Sequence, residues 1–219
     1  MSQGQPRSPA VFGTPEEIAY EARAQEGAIW TGSRLLIGIA GFAFASLAFA
    51  YFYLRSSNSE DLWRPGNITA PTGLGAAVMA AALASSLLFG FGLDRLRKNQ
   101  TTDWEAAGWI AVLGGLLALG LQIYELTDLP FHPGSSGYAS CFIGWASMNI
   151  VLLLGGVYWM ETLLARHVRL RRAIEQEGAH DRATSLVPRI FRVNAESCAY
   201  FMGFSALVSV LFWLFFYVI

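Results

Sequence analysis

The residues able to do chemistry are few, and their spacing limits what they can do. The 219-residue chain has two cysteines, Cys141 and Cys198, and three histidines, His132, His167 and His180. A membrane b-type haem needs histidines within the spanning helices, and copper needs clustered imidazole or thiolate. The histidines fall between the apolar runs rather than inside them, and the cysteines read as buried, inert thiols at opposite membrane faces, too far apart for a disulfide. Phosphate-binding loops, Gly-x-Ser-x-Gly and His-Glu-x-x-His are absent from the sequence. The remaining ionisable candidates are Glu125, Glu161 and Glu196. Each is expected near a membrane interface, where water solvates a carboxylate that would be costly deeper in. On that reading Glu125→Gln has small effects on turnover and assembly. No catalytic, cofactor-binding or metal-binding residue is therefore expected in the chain itself. Asn67-Ile68-Thr69 fits a glycosylation sequon but lies in a short loop and is discounted.

The elements that would position these groups are membrane helices. Hydrophobic residues make up 54% of the chain and charged residues 14%, too few charges for a water-soluble domain. The apolar residues are bunched into runs of the ~20 residues that cross a bilayer. The expectation is an all-α membrane protein with five spans, at roughly 34–55, 71–93, 104–124, 138–166 and 198–219. The first 33 residues read as an arm with a short surface helix, opened by Thr14-Pro15-Glu16-Glu17 as a capping box and stopped at Gly27. No cleavable signal peptide is expected, and no soluble tail after the last span.

Charge sets the expected orientation. With the N-terminus on the cytoplasmic side, the inner segments hold Arg7, Arg23, Arg34, Arg95, Arg97, Lys98, Arg166, Arg169, Arg171, Arg172, Arg182, Arg189 and Arg192. The outer ones hold only Arg55 and Arg64, a bias of 13 against 2. The arginine-rich segment 166–192 reads as a long inner loop that sets topology, with anionic lipid or an acidic partner surface as its other use. Trp30, Trp63, Trp104, Tyr124 and Tyr138 lie near span ends, as an aromatic belt would. Ala76, Ala80 and Ala84, with Ala77, Ala81 and Ser85 beside them, predict a close-packing face on span two, and Gly155-Gly156 predicts one on span four.

From about residue 35 onward the sequence resembles subunit III of the haem-copper oxidases. Gln122, Tyr124 and Glu125 fall in Gly120-Leu121-Gln122-Ile123-Tyr124-Glu125-Leu126, similar to the family's Gln-x-Tyr-Glu-Trp. Ser136-Gly137-Tyr138-Ala139-Ser140 is similar to its Ser-Gly-x-Tyr-Gly-Ser. Ala50-Tyr51-Phe52-Tyr53-Leu54-Arg55, the pair Ser85-Ser86 before Leu96-Arg97-Lys98, Leu154-Gly155-Gly156, and Tyr200-Phe201 with Tyr217 agree in order. The chain departs from the family where buried ionisable groups are usual: at Ala40, at Asn149 and Leu152, at Phe201 and Met202, and at Ser205. The resemblance implies a five-helix bundle of the subunit III type, N-terminus inside and C-terminus outside, in a bacterial inner membrane. It implies a non-catalytic role in a cytochrome oxidase, stabilising a subunit I that carries haem and copper beside a subunit II that also holds copper in some types. Bound phospholipid, and membership of a larger respiratory supercomplex, belong to the same expectation; no nucleic-acid partner does. The alternatives are a subunit III-like protein of a nitric oxide reductase system, or a small membrane transporter or scaffold.

Overall fold

A computed structural model describes residues 15–58, 62–176 and 189–219. Among these residues there are five α-helices: α1 (Pro15–Ser56), α2 (Thr72–Arg97), α3 (Thr101–Thr127), α4 (Gly137–Gln176) and α5 (Arg189–Trp213). A π-helical turn, Leu214–Val218, continues α5. All five are long and apolar enough to cross a membrane, as expected. Among the described residues there is no strand. Helices α2, α3, α4 and α5 close a ring in which each packs on two neighbours, and α1 lies outside it against α4 and α5. Only 11% of the apolar window of α1 is buried, against 50% for α4.

Three boundaries differ from expectation. The N-terminal helix and span one are a single helix, because Gly27 is helical. A lone helix glycine costs only ~1 kcal/mol relative to alanine, and Glu26 is held by Arg189 at 3.0 Å just before it. Thr14 of the expected capping box lies outside the described residues. Span four runs on past residue 166 to Gln176, and α5 begins nine residues early, at Arg189. Much of the supposed loop 166–192 is thus helical; Arg182 and His180 lie outside the described residues. Its polar residues misled the reading because they have partners. Arg192 donates to Asn99 at 2.7 Å, Glu196 takes Arg97 at 2.7 Å, and Arg171 takes Glu105 at 2.6 Å. Glu196 consequently sits inside α5, not ahead of it. Arg97→Gln is expected to cost a few tenths of a kcal/mol and to lose even that in high salt, because the pair is exposed. Arg171→Gln costs more, since Glu105 is only 13% exposed. Thermal unfolding of both variants across a salt series checks the order.

The packing face of α2 is also not the expected stripe. Ala80 and Ala84 are exposed and Ala76 only half-buried, while Gly75, Val78, Ala82, Ser85, Phe89 and Gly92 are buried. Small residues still do the work, on a different face. Gly92 lies against Ala107 and Trp104, and Gly114 and Gly115 lie against Ser85. The Ser85 hydroxyl donates to the Ala111 carbonyl at 2.7 Å across this seam, and Ser86 lies half-buried beside it. Ser85→Ala should weaken unfolding stability by ~0.5–1 kcal/mol, the typical worth of such a bond between membrane helices, read from the detergent-unfolding midpoint. Of the pair in span four only Gly156 meets neighbours, Met202 with Phe201; Gly155 is exposed with open space around it.

The aromatic belt is likewise only partial. Trp104 is 0% exposed, Tyr138 2% and Trp63 9%. They are core residues at the helix ends, and only Tyr124 and half-buried Trp30 face outward.

Candidate functional site

The end of α5 supplies the site. A helix leaves its last carbonyls without intrahelical partners, and in an apolar surrounding each such group is costly. Here tyrosines answer them. The Tyr51 hydroxyl of α1 donates to the Phe215 carbonyl at 2.6 Å, and the Tyr138 hydroxyl of α4 donates to the Phe216 carbonyl at 3.0 Å. The aromatic rings pack around them: Phe216 against Tyr51, Tyr138 and Phe142 at centroid distances of 5.2, 5.7 and 5.3 Å. Arg55 donates to the Tyr51 hydroxyl at 3.3 Å, and Arg64 stacks on Tyr138 at 5.6 Å.

Tyr217, next in this turn, points the other way and donates to Glu125 Oε1. Gln122 Nε2, one turn back on α3, donates to Glu125 Oε2. Gln122 Oε1 in turn accepts from Asn149 Nδ2 of α4 at 3.0 Å, and Asn149 Oδ1 accepts from the Ser209 hydroxyl of α5 at 3.3 Å. The result is a continuous polar chain, Ser209–Asn149–Gln122–Glu125–Tyr217, that ties α3, α4 and α5 together. Its middle is buried: Gln122, Glu125 and Asn149 are each 0% exposed. Gly75 of α2 closes the back, since a Cβ there would overlap the Tyr217 ring.

This overturns the expected setting of Glu125. A position near the end of a helix does not make a carboxylate interfacial when neighbouring helices extend past it, and the premise of a mild Glu125→Gln effect falls with it. Glu161, by contrast, is exposed. A histidine also lies within a spanning helix after all. His167 of α4 is 5% exposed, with Nε2 3.4 Å from Glu105 Oε1, at the arginine-rich end of the bundle. Cys141 and Cys198 are free and buried, as expected.

Of the residues singled out in the sequence, Gln122, Glu125 and Tyr217 meet directly, and Tyr138 and Arg55 join them through the last turn of α5. Gly137 lies against Trp63, and the Tyr138 amide donates to the Trp63 carbonyl at 3.0 Å. The Ser136 hydroxyl caps α4 by accepting from the Ala139 amide at 3.1 Å, and Ser140 accepts from the Gly134 amide at 3.3 Å. Tyr124 and Tyr200 stand apart on the exposed surface, Tyr200 with its ring 6.4 Å from that of Trp30. Sequence reasoning missed Asn149 and Ser209 as members of the chain. The available signal was a buried amide on each of two helices: a polar side chain in an apolar run needs a partner, and Gln122 and Asn149 are each other's. The positions where the sequence resemblance breaks off are packed. Leu152, Phe201, Met202 and Ser205 are all buried, and Ala40 is half-buried against the core.

Chemically, the chain can hold a proton but is poorly built to conduct one. Its two amides accept and donate hydrogen bonds without exchanging protons along the line. Its inner end stops at Ser209, whose hydroxyl also donates to the Ser205 carbonyl at 3.1 Å. No protein-family model matches this chain, and no curated protein matches it either.

Proposed function

We propose that the chain is a non-catalytic subunit of a respiratory haem-copper oxidase, a divergent five-helix form of subunit III, in a bacterial inner membrane with its N-terminus in the cytoplasm. The observation that carries the reading is the convergence of the motif residues. Glu125 and Tyr217 lie 92 positions apart, yet with Gln122 and Tyr138 they form one tyrosine-and-carboxylate clasp. Residues that hold helix ends together suit a scaffold whose task is to stabilise a larger subunit. In this reading haem and copper belong to subunits I and II, phospholipid fills exposed helix faces, and association into a supercomplex is open to the same subunit. Arg55 and Arg64 stand at the clasp end, and the paired arginines Arg97, Arg171, Arg189 and Arg192 at the other, in keeping with that orientation. A subunit III-like partner of a nitric oxide reductase has the same architecture and is the close variant.

The test is to purify the chain from its native membrane in mild detergent and record a reduced-minus-oxidised spectrum with identification of co-purifying proteins. Stoichiometric haem with a large histidine-rich membrane subunit is expected, and the haem bands and partner sequence separate oxidase from nitric oxide reductase. A colourless, monodisperse preparation of this chain alone would sink the reading. Buried Glu125 favours one other reading, a small transporter, because intramembrane carboxylates mark ion paths. Proton or sodium flux through proteoliposomes of the chain alone, lost in Glu125→Gln, would put that reading first.

A further inference from the structure

We propose that Glu125 is a proton-binding site with two hydrogen-bonded forms, and that binding the proton reverses the donor direction of the Gln122 and Asn149 amides across three helices. The inference does not depend on the oxidase reading, since every group in it belongs to this chain.

The argument is one of donors and acceptors. As arranged, each donor points toward the carboxyl: Ser209 to Asn149, Asn149 to Gln122, Gln122 to Glu125, and Tyr217 to Glu125 from the other side. That is a complete set for the anion, which accepts and needs to donate nothing. A proton placed on Oε2 sets two donors face to face, the acid O–H and the Gln122 N–H. A half-turn of the Gln122 amide removes the conflict by presenting Oε1 to the acid. Gln122 Nε2 then faces Asn149, whose amide turns over in the same way and offers Oδ1. Asn149 Nδ2 is left pointing at the Ser209 oxygen. That oxygen is free to accept because the Ser209 proton already has a second acceptor, the Ser205 carbonyl at 3.1 Å. Both forms leave each member of this chain with a partner, which is the condition for a bistable network. A chain without the Ser205 carbonyl would leave the protonated form one bond short.

The proton balance closes at Tyr217, the one half-buried member of the chain. Hydronium gives a proton to the Tyr217 oxygen while Tyr217 passes its own hydroxyl proton to Glu125 Oε1, leaving water outside and an unchanged phenol. Rotation of the carboxyl carries the proton to the Gln122 side. The groups facing Glu125 allow both forms. α4 presents Tyr138 and the last turn of α5 presents Tyr217, the titratable groups within electrostatic reach. α1 presents Tyr51, with Arg55 bound to its hydroxyl, and Arg64 lies over the Tyr138 ring. α2 presents Gly75, and on α3 itself Tyr124 and Asp128 are exposed. Among the described residues no lysine or arginine pairs with Glu125, so no fixed cation locks it as the anion.

Infrared difference spectroscopy on the full chain in lipid nanodiscs, stepped through pH, reads both halves. Acidification is expected to raise a protonated-carboxyl band that is missing in Glu125→Gln, together with side-chain amide shifts of the same midpoint. Asn149→Leu should keep the carboxyl band and lose part of the amide signal. A carboxyl band that survives in Glu125→Gln overturns the site assignment. A band that titrates with no accompanying amide change, or with an amide change untouched by Asn149→Leu, overturns the reversal. Helix content by circular dichroism confirms that each variant is folded, and Asn149→Leu keeps the test alive should Glu125→Gln not fold.

Discussion

Glu125→Ala is expected to destabilise the bundle by about 2–4 kcal/mol, far more than Glu125→Gln at about 1 kcal/mol. The difference follows from what each variant leaves behind. Alanine removes the acceptor of two donors at once, the Tyr217 hydroxyl and Gln122 Nε2. A buried donor without a partner costs about 1–3 kcal/mol, and Gln122 is 0% exposed. Glutamine keeps the shape and one acceptor, and the amide chain can turn over to meet its added donor, as it would for the protonated acid. The measurement is the unfolding midpoint in graded denaturing detergent for wild type and both variants. Equal, small effects would mean that Glu125 is solvated as its position near the helix end suggests, and would remove the clasp from the account. Under the proposed oxidase reading, turnover of the assembled complex is expected to follow the same order, because the loss acts through the last turn of α5 rather than through chemistry at Glu125.

Gly75→Leu is the second large effect, at about 2–4 kcal/mol, although residue 75 forms no hydrogen bond in the clasp. The ring of Tyr217 occupies the space where a side chain at 75 would begin. Overpacking costs about 1–3 kcal/mol by itself, and displacing Tyr217 also takes a donor from Glu125. Gly73, two residues away, has open space around it. Gly73→Ala should therefore be neutral or slightly stabilising through helix propensity. A double-mutant cycle with Tyr217→Phe separates the two contributions: strong coupling places the effect at the ring, and additivity assigns it to the α2 backbone instead. Both predictions bear on one structural claim, that the C-terminal turn is held from α1, α2, α3 and α4 together.

Some of this was legible in the sequence and some was not. The number and order of the helices came from apolar runs about as long as a bilayer is thick, a property of composition that tertiary contacts cannot reverse. Buried thiols and small-residue seams followed from the same local rules. The helix boundaries at the basic end did not, because Arg189, Arg192, Glu196 and Arg171 look like loop residues until their partners are known. The face of α2 was misplaced, with Ala80 and Ala84 exposed and Val78 and Ala82 buried, because glycine, alanine and serine occur all around that helix. Only the neighbouring helices decide which stripe is covered.

The site divides in the same way. Gln122, Glu125, Tyr138 and Tyr217 stood out in the sequence, and their types already required partners if buried. Whether they were buried, and with whom, rested on the side chains that α4 and the end of α5 bring to them, Asn149 and Tyr217. The sequence by itself determined a five-helix apolar bundle and the residues from which a polar site could be made. Tertiary structure alone decided that Glu125 is buried, that Asn149 and Ser209 complete its chain, and that Gly75 makes room for Tyr217. The physical reason is that span count depends on hydrophobicity summed along the chain, whereas burial of one carboxylate depends on where other helices end.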